Sequence, residues 1–589
     1  MKLKKIFTFL IALFVCLSLV ACGGKPEQPE QPEQPEQPEV PEHTVCVDNN
    51  GDNKCDECGK ELQGQQPEHT VCVDNNGDNK CDECGKDLGQ PAVYQPRWDL
   101  NPTGWKGNGM NIKIKCLPVS EFDPFDVNFT GDNQEIRMRH QQLVQQAYDV
   151  KIKYVAWDDS EQWGPVRANA IVTNYTNGSY QEQDIYVVNI SSNWIPTIIK
   201  SGALAELAVI KNGNVTEGIL ADFNADEEKY IQDSTINEAL SASNRVYGIS
   251  TGKSTPDHFI YYNVDLVEKA NAEDPAELWL KGEWTLSKFQ EWVESTQKNL
   301  PADHYVLDMG YPEFALGMVA STGNQFVSVS PIQKVNLLED GVTNVLKTIQ
   351  TFYKDGYYNA RGSQDVTDQF ISGTTVLHSG QFWFIKADDR FNAKVNGLRL
   401  GVVPYPAADG DNINVEFTSD PEEAIAGANG DPLMKDGQYV AGLDLSGAAF
   451  KVPFAGTTCY SVLDYANGKN GINAQVVTNL LIDLYAGQGA DPNQNVQLTD
   501  EQGFRIYLET LFDRQIDIEV VMSVYNSTYF ELFETVSMTV GGGSQFGTDA
   551  FWPLCGTICK DASIDPYTRL SEVYAKYRQA MVDMGYNPR

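Results

Sequence analysis

Six cysteines and two histidines near the start of the chain are the residues best equipped for chemistry. "HTVCVDNNGDNKCDECGK" runs from His43 to Lys60 and returns almost letter for letter from His69 to Lys86. The repeating units are 41–62 and 67–88, a period of 26 residues. His43, Cys46, Cys55 and Cys58 space as H-x2-C-x8-C-x2-C, and His69, Cys72, Cys81 and Cys84 repeat the pattern. Two ligands at x2 spacing fit one tight turn, and a further pair closes a tetrahedron around zinc. Each unit holds three cysteines, so disulfides within a unit leave one thiol over, whereas a Cys3His zinc site uses all four groups. An oxidising exterior counts against free thiolates.

A second chemistry is written over the first. Asp48, Asn50, Asp52 and Asp56, and in the second unit Asp74, Asn76, Asp78 and Asp82, place short oxygen ligands as a hard cation needs. The stretch resembles the opening of a dockerin or EF-hand-type loop. It departs from that pattern at Asn53, where the turn glycine is expected, and at Gly59, where a glutamate would close the site. The residue set favours a structural metal, chiefly zinc, with disulfide-stapled turns and a calcium-only site as alternatives. Neither unit has enough apolar residues to fold without such a clamp. Neither carries a nucleophile or general base beside its ligands, so both read as spacer or docking beads.

The surrounding elements set where these beads work. Lys2, Lys4 and Lys5 precede the apolar run Ile6–Val20, too short to span a bilayer. "LVAC" at Leu19–Cys22 resembles a bacterial lipobox, which implies a signal peptide over 1–21 and lipidation of Cys22. Two acyl chains on one cysteine suffice for stable anchoring. Residues 22–42 form a stalk with proline at every third position, which favours polyproline II at ~3.1 Å per residue and a reach of roughly 50 Å. The net charge of −37 excludes nucleic acid as a partner.

The remainder, 108–589, has the composition of a folded protein; the whole chain is 41% hydrophobic and 11% aromatic. "MNIKIKCLP" alternates as a strand, Asn133–Trp157 reads as helix then strand, and "DIYVVN" reads as a buried strand. "NWIPTIIKSGALAEL" reads as a helix that Gly202 helps to end. Strands alternating with helices predict an α/β fold with a parallel sheet covered on both faces.

Several motifs then carry a family resemblance, in order along the chain. "YGIS" at Tyr247–Ser250, "YYNVDL" at Tyr261–Leu266, "WTLSKF" at Trp284–Phe289, "DQFISGTTVLHSGQFWF" at Asp368–Phe384 and "LRLGVVPYPAADG" at Leu398–Gly410 resemble extracellular solute-binding proteins of bacterial ABC importers, especially the sugar-binding branch. Ser250 stands where that family usually has proline. The resemblance implies a two-lobe clamshell like the periplasmic binding proteins, of the maltose-binding type, with hinge crossings. Crossings are expected near Phe259–Tyr262, Leu398–Pro404 and Val496–Phe504. Lobe one is then 108–258 with 402–496, and lobe two 262–400 with 497–589. It also implies a monomer, lipid-anchored on the outer face of the cell membrane, that hands a carbohydrate, an oligosaccharide by the length of the chain, to permease subunits.

A sugar offers hydroxyls and C–H faces, so its site needs tryptophan beside amide or carboxylate groups. Trp157 and Asp158, Asn189 and Trp194, and Asp549 and Trp552 meet that need at strand ends or in loops. Trp383 lies where the resemblance places a cleft aromatic. Asn193, beside Trp194, is a further candidate of the same kind, and Arg390 and Tyr525 are weaker candidates. Trp279, Trp284 and Trp292 read as scaffold. No catalytic residue is assigned. There is no H-E-x-x-H or P-loop, and the chain has only six histidines. The binding domain needs no cofactor. A surface adhesin or scaffold built on the cassettes, and a glycosidase with two cleft carboxylates, are the alternatives. Cys555 and Cys559 are expected to staple their loop as a disulfide; Cys116 and Cys459 either pair or stay free. The metal reading of the cassettes has a direct check. Metal analysis and thiol titration of segment 41–88 are expected to find one zinc per unit. If they find neither metal nor free thiols, the two units are cross-linked by disulfide instead.

Overall fold

The alternating run Met110–Cys116 forms the first strand, β1, with Ile112 and Ile114 fully buried. The computed structural model describes residues 94–589 apart from 132, 162–163, 225–228, 230–231, 251–253, 257, 309, 330–331, 360–366, 388–389, 393–395, 455, 466–467 and 490–499. Cys22, the stalk and both cassettes with their metal candidates lie outside the described residues. Among the described residues nineteen strands are numbered β1–β19 along the chain. β1 pairs in parallel with β2 (Val150–Ala156) and β3 (Ile185–Ser191). β3 is buried over nearly its whole length, as a continuous apolar run in a covered sheet should be. β18 (Thr458–Val462) joins β3 antiparallel, giving the order β18-β3-β1-β2.

A second sheet has the order β13-β8-β12-β9, formed by Leu400–Val403, His258–Asn263, Thr375–Gln381 and Tyr305–Leu307. β8 is antiparallel to both neighbours, and β9 runs parallel to β12. Each sheet heads one lobe of the fold. Beside the first lie β4 (Ala208–Lys211), β5 (Asn214–Glu217), β6 (Ser241–Ala242) and β7 (Arg245–Val246) in the order β5-β4-β7-β6. Beside the second lie the hairpin β10 (Val327–Ser328) and β11 (Lys334–Val335) and a three-stranded sheet of β14 (Asn414–Thr418), β16 (Gln438–Asp444) and β15 (Met434–Lys435). β17 (Val452–Phe454) pairs in parallel with β19 (Thr528–Phe530).

The crossings differ from the sequence expectation. Ile249 still pairs with Tyr460 of the first sheet, and β8 begins at His258, so the first crossing precedes Phe259–Tyr262. Leu398–Pro404 is not a crossing, because β13 pairs with β8 and Ala407 bridges to Thr285. The chain stays with the second lobe through β17 and returns at Gly456–Thr458, entering β18. The helix Ala474–Tyr485 packs on Gln134–Tyr148 of the first lobe, while Asp500–Leu511 packs on Gln515–Ser523 beside β13. The chain is therefore back with the second lobe at Asp500–Leu511. Thus 402–454 belongs to the second lobe and 458–485 to the first. Short apolar strands such as β8 and β13 do not alternate, so nothing in them distinguishes a central strand from a connector.

The folded unit also starts earlier than 108; it begins at Tyr94. The fastening is the carboxylate of Asp483, 2% exposed. It accepts from Trp98 Nε1 at 2.9 Å, Asn101 N at 2.7 Å and Tyr148 OH at 2.7 Å. His140 Nε2 meets the Asp483 carbonyl at 2.6 Å, and its Nδ1 meets Tyr94 OH at 2.9 Å.

Glu531, just after β19, is a second buried organiser. Its N–H donates to Phe454 O at 3.0 Å. Its carboxylate accepts from Phe326 N at 3.3 Å, Tyr529 OH at 2.8 Å and Phe533 N at 3.1 Å. Burial pushes its pKa up to about 7 against these hydrogen bonds, which lower it.

Two measurements follow. D483A leaves three donors unmatched, that of Tyr148 buried and those of Trp98 and Asn101 partly buried, and is expected to cost on the order of 3 kcal/mol in urea unfolding. It should also expose 94–107 to protease, and wild-type resistance there would contradict the fastening. For Glu531 the folded carboxyl keeps its proton where the unfolded one, near 4.5, has lost it. Stability therefore falls as pH rises from about 4.5 to about 7. E531Q should flatten that slope, by on the order of 2–3 kcal/mol across the window; an unchanged slope assigns it to other groups.

Candidate functional site

Three parallel strands end at one edge of the first sheet, and their ends bring the site together. Open α/β sheets bind ligands at this carboxyl edge. Leu117 follows β1, Trp157 follows β2, and Asn189 and Ser191 close β3; β18 runs the other way, so its first residues, Thr458 and Tyr460, share the edge. A cavity of about 360 Å³ opens there, lined by those β1, β3 and β18 residues with Glu121, Phe122, Arg167 and Trp194. That volume suits a small ligand. Asn189 is 4% exposed and Tyr460 also 4%. Phe122 meets the Tyr460 ring edge-on at 6.3 Å, and Tyr460 stacks on Tyr485 at 4.5 Å, which fixes the wall.

Trp194 is held by its own turn and by a cation. Ser191 Oγ accepts from Asn193 N at 3.4 Å and so starts the single 3₁₀ turn Ser192–Trp194. The Arg167 guanidinium lies 5.5 Å from the Trp194 ring on one side and 4.9 Å from Trp157 on the other. Lys115 Nζ lies 4.9 Å from the Trp157 ring and 3.2 Å from Glu161 Oε2. Burial draws the Arg167 pKa down while Glu161 and Tyr180 raise it, and the group stays charged. Arg167 Nε donates to Glu161 O at 3.1 Å. The result is a column of Lys115, Trp157, Arg167 and Trp194, each cation–π layer worth about 1–2 kcal/mol when desolvated. Only Trp194, half-buried at its end, presents an indole to the cavity.

This arrangement corrects two expectations. Trp157 is 2% exposed and serves as the floor under Arg167, not as a stacking platform. Its Nε1 is buried with no partner among the described residues. The Asp158 side chain is 76% exposed and reaches only toward Lys115, at 4.0 Å. Asn189 and Trp194 line the same cavity.

The second lobe repeats the local design without sharing this cavity. β12 runs into a 3₁₀ turn, Phe382–Ile385, that carries Trp383. Trp383 is 46% exposed, donates Nε1 to Gln381 Oε1 at 2.9 Å and has Arg390 5.1 Å from its ring. Asp549 is instead paired with Lys576, and Trp552 lines a crevice of about 20 Å³ with Pro312 and Phe551, too small for a solute. Neither joins the cavity at the sheet edge. Cys555 and Cys559 are not a staple either. They lie one turn apart on the helix Phe551–Cys559, buried and free, with sulfurs 3.7 Å apart. Cys116 and Cys459 are free and sit on strands separated by β3, out of bonding reach. Trp279, Trp284 and Trp292 are buried core.

Arg167, Phe122 and Tyr460 escaped the sequence reading. Arg167 carries a faint signal, being a lone cation on an otherwise neutral helix, "GPVRANAIVTNYT". Phe122 and Tyr460 carry none, because only tertiary pairing brings them to the edge. Among the described residues no group of three or more His, Cys, Asp or Glu is placed to hold a metal, and no helix is long and apolar enough to cross a membrane.

No curated protein sequence matches the chain at a significant level. Among solved structures, a maltose-binding periplasmic protein from Listeria monocytogenes in complex with maltose is 14% identical, covering 81% of this chain and 97% of its own, with a TM-score of 0.43. An ABC substrate-binding protein from Listeria monocytogenes in complex with cycloalternan is 10% identical, covering 80% and 99%, with a TM-score of 0.48. The galacto-N-biose-/lacto-N-biose I-binding protein from Bifidobacterium longum is 13% identical, covering 82% and 100%, with a TM-score of 0.47. Residues 141–429 match the family model described as bacterial extracellular solute-binding protein. That span holds β3, Trp194, Arg167 and the second sheet, so the part of the folded unit that carries the cavity and its Trp194 turn is similar to a family of binding proteins.

Proposed function

We propose that the protein is a membrane-anchored receptor that takes a carbohydrate into the cavity at the edge of the first sheet, closes the second lobe over it and delivers it to an ABC permease. Cys22 is the anchor, the proline-rich stalk sets the distance from the lipid, and the cassettes act as metal- or disulfide-held spacers. The observation that carries this reading is the pairing of Trp194 with Asn189 at the cavity: an immobilised indole face beside an amide. A pyranose needs that pair, one surface for its C–H face and hydrogen-bonding groups for its hydroxyls. Thr458 and Ser191 add hydroxyls on the same wall. Trp383 supplies an indole on the second lobe. A ligand that touches both lobes stabilises the closed arrangement by its differential affinity for it, which gives the permease a means of telling loaded from empty receptor.

Calorimetry of the full chain with a panel of oligosaccharides tests the reading. At least one glycan is expected to bind without turnover. W194A should weaken it about tenfold, the effect of losing one aromatic stack of 0.5–1.5 kcal/mol with its buried area. W157F should act mainly on stability, since Trp157 does not face the cavity. Turnover of a glycan, or W194A binding as tightly as wild type, would overturn the proposal.

A further inference from the structure

One hydrogen bond joins the two lobes a single residue away from Trp194. Asn193 Oδ1 accepts from Thr535 Oγ1 at 2.9 Å. Asn193 belongs to the first-lobe turn that carries Trp194. Thr535 is 3% exposed on the helix Phe533–Val540. That helix is built into the second lobe. Phe533 stacks on Phe326 at 4.3 Å and on Tyr577 at 5.7 Å, and the helix packs along Pro566–Asp583.

The same turn is bolted to its own lobe. Ser192 N donates to Thr457 O at 2.8 Å, and Thr457 N donates to Ser192 Oγ at 3.1 Å. Thr457 lies in the crossing segment, where a rotation between lobes displaces atoms least. Thr535 lies on the moving body. One restraint thus persists through a hinge motion while the other depends on it. Asn193, read from sequence as a possible ligand contact, has its carbonyl oxygen committed to the second lobe instead.

We propose that Asn193 is a positioning residue that ties the orientation of the Trp194 turn to lobe closure, so that a solute stacked on Trp194 and the closed arrangement favour one another. This rests on Trp194 being the solute platform. The coupling is reciprocal: if closure orders the turn, occupancy of the turn favours closure by the same factor.

The test uses T535V, which removes the donor with little change of shape, N193A, which removes the acceptor, and T535S, which restores the hydroxyl. Without any solute, small-angle scattering of the full chain is expected to show a larger radius of gyration for T535V and N193A, and a wild-type value for T535S. With a glycan that binds wild type, T535V and N193A should each weaken binding two- to tenfold, the effect of one neutral hydrogen bond. The double variant should be no weaker than either single, while the tryptophan fluorescence change at saturation stays as in wild type. Unchanged scattering with unchanged affinity overturns the coupling, as do additive losses in the double variant. A shifted radius in T535V together with no glycan bound by wild type supports the coupling and removes the carbohydrate reading alone.

Discussion

The turn that carries Trp194 reaches the lobe crossing only because residue 456 has no side chain. A Cβ on Gly456 would stand 2.8 Å from both Asn193 Oδ1 and Ser192 Oγ, and its φ of 155° is one that L side chains rarely adopt. Much of the site hangs on that close approach. It lets Thr457 exchange two hydrogen bonds with Ser192. Those bonds fix the register in which β18 meets β3, with Thr458 opposite Ser191 and Tyr460 opposite Asn189. That register puts a hydroxyl, an amide and two aromatic rings around one cavity. A one-residue slip of β18 would turn Thr458 and Tyr460 to the other face.

Buried carboxylates do similar work elsewhere, and for one reason. Where chain segments meet without a shared strand or helix, their backbone donors have no regular partner, and an unmatched buried donor is costly. Asp483 gathers the entering segment, 94–101, onto the first lobe; Glu531 gathers Phe326, Phe533 and the end of β17 in the second. Burial holds Glu531 near a pKa of about 7, so its acceptor role varies over the range an extracellular protein meets. An acidic chain thus spends some of its carboxylates as internal organisers, not as surface charge.

What could be read in the sequence follows from how local each signal was. The alternation of β1 and the continuous apolar run of β3 are properties of seven residues each, and the structure contains both strands where they were expected. The placement of Asn189 and Trp194 at a strand end was legible because a strand followed by tryptophan is also local. Arg167, Tyr460 and the true crossing at Gly456–Thr458 depend on which segments meet. Nothing within a stretch such as "PFAGTTCYS" distinguishes a crossing from a loop. Trp157 shows the converse error. Its neighbour Asp158 suggested a sugar contact, but the ring is claimed from both sides by Lys115 and Arg167, cations distant in sequence.

The two lobes reach the same local solution from unrelated segments: a sheet strand runs into a 3₁₀ turn, the turn carries a tryptophan, and an arginine backs the ring. They do not present it equally. Trp194 closes a four-layer column and sits in a formed cavity; Trp383 stands 46% exposed with one hydrogen bond from its indole. On the proposed reading this asymmetry orders the binding event. A solute first meets the wall whose side chains are already immobilised, where little rotamer entropy remains to be lost. The second indole contributes only on closure, so its contact energy goes into the difference between closed and open arrangements. That difference, and not the total affinity, is what a permease can sense.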